Sequence, residues 1–211
     1  MAFQPFVDDL GLELFILAFV GFILVYAAIT LVMAYRKGEN KEFMDRLRAL
    51  SVPLGILGFF IFIMGIAGEL VWPLPNFGGL GYDILFFDAF TLLGVILMSI
   101  AVAVNFNRKL EYTGMLSFMF GLTVIFYGIT AYNLKMTKEP LAMLLLYAGF
   151  GISGILALPA SIAVDKAIVS PKVGKSWLYW TYSFILFMAL SALAAVAIAA
   201  PAIASHLASA P

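Results

Sequence analysis

Carboxylates are the residues of this chain whose type and spacing could do chemistry. Glu13, Glu69, Asp83 and Asp88 lie at the edges of long apolar runs, with Asp8, Asp9 and Glu139 close by. Acidic groups that share a partly buried site repel one another when ionised, so such a site takes up protons or binds a cation. Glu69 and Asp88 fit this best. The supporting polar side chains are Tyr82, Thr91, Tyr132 and Asn133. Thr91 follows Asp88 by three residues, the spacing of one helical face, and the other three are candidate hydrogen-bond partners for Glu69. A structural reading stands beside the functional one. Asp83 and Asp88 open a helix whose dipole favours negative charge, and Asp83 has the type of a plain N-cap. Glu69 closes its helix, where the dipole gives no support, so it needs a partner or water. The residue types do not say which metal, if any, would suit the site.

Other chemistries lack their residues. With no cysteine there is no disulfide, thiolate ligand or thiol nucleophile. The single histidine, His206, reads as an exposed tail residue, and one imidazole cannot build a bis-histidine haem or a histidine-rich zinc site. There is no G-x-S-x-G elbow and no H-E-x-x-H. The Gly78-Gly79-Leu80-Gly81 run lacks the G-K-[ST] of a phosphate loop. Gly79-Leu80-Gly81-Tyr82-Asp83 has one residue too many for the G-x-G-D element of intramembrane aspartyl proteases. A formal net charge of zero, from 12 basic and 12 acidic residues, gives nucleic acid no basic surface. The expectation is a non-enzymatic protein without a cofactor.

The elements that must position the carboxylates are membrane spans. Hydrophobic residues make up 64% of the 211 and charged residues 11%, against roughly 25% in soluble domains, and mean hydropathy is +1.07. Runs of the roughly 20 apolar residues needed to cross a bilayer lie near 11–35, 50–72, 84–106, 113–133, 141–164 and 177–204. Backbone groups cannot stay unpaired in lipid, so each run is a helix. The expected fold is all-α: a single transmembrane domain, 1–211, of six helices. Residues 1–10 contain no Lys or Arg, so the first run is a span rather than a cleavable signal. Arg36, Lys37, Lys41, Arg46 and Arg48 fall in the first loop, Arg108 and Lys109 in the third, and Lys166, Lys172 and Lys175 in the fifth. Only Lys135 and Lys138 fall on the other side. The positive-inside rule puts the odd-numbered loops in the cytoplasm and both chain ends outside. Trp72, Tyr82 and Tyr132 at the outer ends, and Tyr35, Tyr112, Trp177, Tyr179 and Trp180 at the inner ends, have the type of interfacial anchors. Residues 40–48 are either a short surface helix or the ordered entry into helix two.

On this frame Glu69 and Asp88 sit about 10 Å above the bilayer midplane. The midplane itself falls near Phe22, Phe60, Val95, Thr123, Ile152 and Ser191, with no charge. Gly58-x6-Gly65-Ile66 in helix two and Gly121-x6-Gly128-Ile129 in helix four recur at an offset of 63 residues. They read either as a duplicated hairpin, helices 2–3 and 4–5, or as close packing of small residues. A clean midplane favours a subunit or scaffold that packs, through Gly- and Ala-rich faces, against copies of itself or other membrane subunits. The alternative is a proton or cation transporter or channel that uses the outer carboxylates.

Glu69-Leu-Val-Trp-Pro-Leu-Pro75, Tyr82-Asp-Ile-Leu-Phe-Phe-Asp88, Leu110-Glu-Tyr112 and Tyr127-Gly-Ile-Thr-Ala-Tyr-Asn133 together resemble an integral-membrane family of unknown function from archaea and acidophilic bacteria. The resemblance covers helices two to five. It implies a prokaryotic, archaeal plasma membrane, brings no activity with it, and makes the outer-side residues the feature that would define the family.

Overall fold

The structure, a computed structural model, describes residues 9–71, 73–74, 81–170 and 176–208. Asp8, Trp72, Pro75, Gly78, Gly79, Leu80, Pro171, Lys172, Gly174 and Lys175 lie outside the described residues, as do the side chains of Asp9 and His206. The described residues are helical and contain no strand. The elements are α1 (Asp9–Lys37), α2 (Asn40–Val71), a π-turn (Ile84–Asp88) running into α3 (Ala89–Asn105), α4 (Glu111–Asn133), α5 (Pro140–Val169) and α6 (Ser176–Ala208). All six helices are long and apolar enough to cross a membrane, as expected where each segment must satisfy its own backbone hydrogen bonds.

Several bounds differ from the expected ones because packing overrides local composition. Helix α2 begins ten residues early, so residues 40–48 are the entry into that helix and not a separate surface helix. Phe43 and Leu47 of this charged stretch are buried against Trp177, Leu110 and Ala163. Helix α5 continues to Val169 and takes Asp165 out of the expected loop. Trp177 is not an interfacial anchor: it is 4% exposed and packs edge-on against Tyr35 with ring centroids 4.4 Å apart. Tyr112, Tyr179 and Trp180 are exposed.

Three helix ends close in the same way. Beyond α1, α3 and α4, Gly38, Asn107 and Lys135 adopt φ of 74°, 51° and 51°. The next amide reaches back to a carbonyl five residues earlier: Glu39 to Ala34, Arg108 to Ala103 and Met136 to Ala131. This is the Schellman arrangement, which satisfies the last helical carbonyls.

The helices form a ring in chain order, and every substantial helix–helix interface joins neighbours in it, with α6 returning to α1. Tight and loose interfaces alternate. The tight pairs are α4–α5, α2–α3 and α1–α6; α5–α6 is intermediate, α1–α2 sparse and α3–α4 sparsest. Small residues make the tight pairs. A Cβ at Gly58 would stand 2.8 Å from the Met98 nitrogen and 3.0 Å from the Gly94 oxygen. One at Gly121 would stand 2.5 Å from the Gly151 oxygen. In α1–α6 a Cβ at Gly21 would meet that of Ala192 at 2.8 Å. Without these side chains the backbones approach closely and dispersion holds them. All six helices line a central, mostly apolar cavity of about 850 Å³.

One end of the ring carries Arg36, Lys37, Arg46, Arg48, Arg108, Lys109 and Lys166, and is termed the basic end. The other, the acidic end, carries Glu13, Glu69, Asp83, Asp88 and Glu139.

Candidate functional site

Packing of α2 on α3 builds the centre of the acidic end. A Cβ at Gly65 would collide with the Thr91 hydroxyl and lie 2.7 Å from the Thr91 nitrogen, while one at Gly68 would enter the Phe87 ring. Glycine at both positions lets the last turn of α2 lie on α3. There the Thr91 hydroxyl donates to Glu69 Oε1 at 3.1 Å. Asp88 lies beside Glu69, near enough for the two carboxyls to interact. From α4, the Tyr127 hydroxyl donates to Asp88 Oδ2 at 2.6 Å. Three helices thus meet in the chain Thr91–Glu69–Asp88–Tyr127.

The π-turn sets the register of Asp88. One extra residue per turn rotates the rest of the helix by about 100° relative to a plain α-helix. A carbonyl of this turn also accepts from a side chain: the buried Tyr147 of α5 donates its hydroxyl to the Leu85 oxygen at 2.7 Å. Glu13 of α1 is 4% exposed and lines the central cavity with Tyr147, whereas Glu69 and Asp88 are not part of that lining. The acidic end therefore has two compartments. Glu13 faces the lumen, and the Glu69–Asp88 pair bridges α2, α3 and α4.

The remaining candidates are placed elsewhere. Asp83 is 1% exposed and accepts the Leu74 amide at 3.0 Å through Oδ1, tying the preceding loop to the π-turn. It makes no side-chain capping bond to its own helix, so the plain N-cap reading is corrected. Tyr82 donates its hydroxyl to the Met136 carbonyl, clamping the turn after α4. Tyr132 and Asn133 are exposed at the end of α4. The partners of Glu69 lie on α3 and are not Tyr82, Tyr132 or Asn133, because the α2–α3 glycines turn Glu69 toward Thr91.

The family described as "Protein of unknown function (DUF981)" matches residues 1–209. The chain belongs to that family. No curated protein and no solved structure matches it.

Sequence reasoning missed Tyr127 and Tyr147. Both lie within apolar runs, where an aromatic reads as packing until the neighbouring helix is known. It also missed Asp165, whose two oxygens accept the Leu110 and Glu111 amides at 2.9 Å each and cap α4 from α5. The signal for Asp165 was its place in an otherwise apolar face of a long run. Among the described residues, no group of three or more His, Cys, Asp or Glu side chains is arranged to hold a metal ion.

Proposed function

We propose that the protein is a non-enzymatic integral-membrane component, a subunit or scaffold that presents an acidic site at its outer end. In this reading it lies in a prokaryotic plasma membrane. The ten-to-two division of Lys and Arg supports cytoplasmic odd-numbered loops and outward chain ends.

The observation that carries the scaffold reading is the state of the ring's middle. The hydroxyls of Thr123, Ser153 and Ser191 each donate to a carbonyl of their own helix, at 3.2, 2.8 and 2.7 Å. These three hydroxyls are thus engaged by their own helices, and a mostly apolar lumen opposes ion passage by dewetting. The twin contacts Gly58–Gly94 and Gly121–Gly151 support a duplicated hairpin as the origin of the two tightest pairs.

A second reading, proton or cation transport, is favoured by the Glu69–Asp88 pair, since carboxyls shared between helices bind and release protons as helices move. Proteoliposome flux separates the two. The scaffold reading expects no flux in proton, sodium or potassium gradients, and a native mass above that of the monomer. Flux that Glu69→Gln and Asp88→Asn abolish would replace it with the transport reading.

A further inference from the structure

The sparsest interface of the ring, α3 against α4, leaves a groove of about 670 Å³ at the basic end. Val95, Met98, Ser99 and Val102 of α3 form its floor, and Arg108, Lys109 and Tyr112 stand at its mouth. Val102 and Tyr112 are 56% and 76% exposed, so apolar surface faces outward directly beneath two cations. The Schellman turn with Asn107 at φ 51° fixes where those cations project.

The cations are available. Arg36 lies over the Tyr182 ring, Arg46 pairs with Glu42 and Arg48 donates to Asn107. Arg108 makes no ion pair among the described residues, and Lys109 reaches Glu111 only at 3.6 Å with its side chain 72% exposed. A guanidinium matches a phosphate in a bidentate fork, and an ammonium adds a point charge. From Val102 to Val95 the floor descends about 10 Å into the hydrocarbon.

We propose that this groove binds an anionic lipid of the surrounding bilayer, its phosphate headgroup held by Arg108 and Lys109 and one apolar chain lying along Val95 to Val102. Basic pockets between spanning helices recognise anionic headgroups in this way. The inference rests on the membrane placement of the preceding section, and the charge placed over an apolar floor is what selects a phospholipid over a soluble phosphate.

The test uses the purified full chain in mild detergent, titrated with phosphatidylglycerol or phosphatidylcholine, with bound lipid read by native mass spectrometry. Phosphatidylglycerol should be retained roughly tenfold better. Arg108→Gln with Lys109→Gln should abolish the preference, and Ser99→Phe, which fills the floor, should reduce retention of both lipids. Lys135→Gln with Lys138→Gln, at the other end, should change neither. Equal retention of the two lipids, or a preference that survives loss of Arg108 and Lys109, overturns the proposal. Loss of preference in the charge variant with full retention in Ser99→Phe also overturns it, because the binding is then surface attraction without a groove. Inorganic phosphate competing as well as the lipid does the same. Failure of the expressed chain to sediment with membranes would instead defeat the membrane placement, whatever the lipid result.

Discussion

Tyr127 and Tyr147 tie the acidic end together, one to a carboxylate and one to a backbone carbonyl. Hydrogen bonds between helices in membranes average about 0.6 kcal/mol and reach about 1.7. Tyr127→Phe combined with Asp88→Asn in a double-mutant cycle should therefore give a coupling of about 1 kcal/mol in thermal or denaturant unfolding. A coupling near zero would break the Thr91–Glu69–Asp88–Tyr127 chain at its last link. Asp165 satisfies two amides at the start of α4. Its replacement by Ala should destabilise by about 1–2 kcal/mol, the range for lost helix caps. Lys135 carries a left-handed backbone that costs a residue with a Cβ about 1–2 kcal/mol. Lys135→Gly should raise the unfolding midpoint, whereas the same change at neighbouring Lys138 should not. At this scale the carboxylates were legible because a charge in an apolar run stands out. The tyrosines were not, since their role depends on which helix lies opposite.

At the scale of elements, glycine decides which helices approach. Gly121→Ala would put a Cβ 2.5 Å from the Gly151 oxygen and 2.9 Å from the Ile155 nitrogen, backbone atoms with no room to yield. It should cost about 1–3 kcal/mol, as overpacking does. Gly55→Ala meets only the Ala101 Cβ at 3.3 Å and should be tolerated far better. The same denaturation assay in mixed micelles reads both. Six helices could be located from apolar run length alone. The start of α2 was legible only as one of two readings of residues 40–48, because Lys41, Asp45, Arg46 and Arg48 look solvated until Phe43 and Leu47 are seen in one cluster with Trp177. The π-turn could not be located: Ile84 to Asp88 has no composition that separates it from an ordinary helical turn, and the Tyr147 hydroxyl that meets its Leu85 carbonyl comes from a helix distant in sequence.

The whole molecule is three tight helix pairs closed into a circle, and one of those pairs, α1 with α6, joins the first helix to the last. The wall of the lumen was invisible in the sequence, because ring closure depends on which interfaces are loose as much as on which are tight. That closure has a consequence for chain connectivity. The first described turn of α1 and the last of α6 lie at the same end of neighbouring antiparallel helices, while the link between α1 and α2 is a two-residue turn at an exposed Gly38. Opening the chain at Gly38 and bridging the old ends with a flexible linker would turn α6–α1 into an ordinary sequential hairpin, third in a row after α2–α3 and α4–α5. Such a circular permutant should insert and fold with a melting temperature close to that of the parent. Cutting instead inside the α4–α5 connection near Lys138 would sever the most extensive pair and should lower it sharply. The order in which the six helices are written would then matter less than the three partnerships they form.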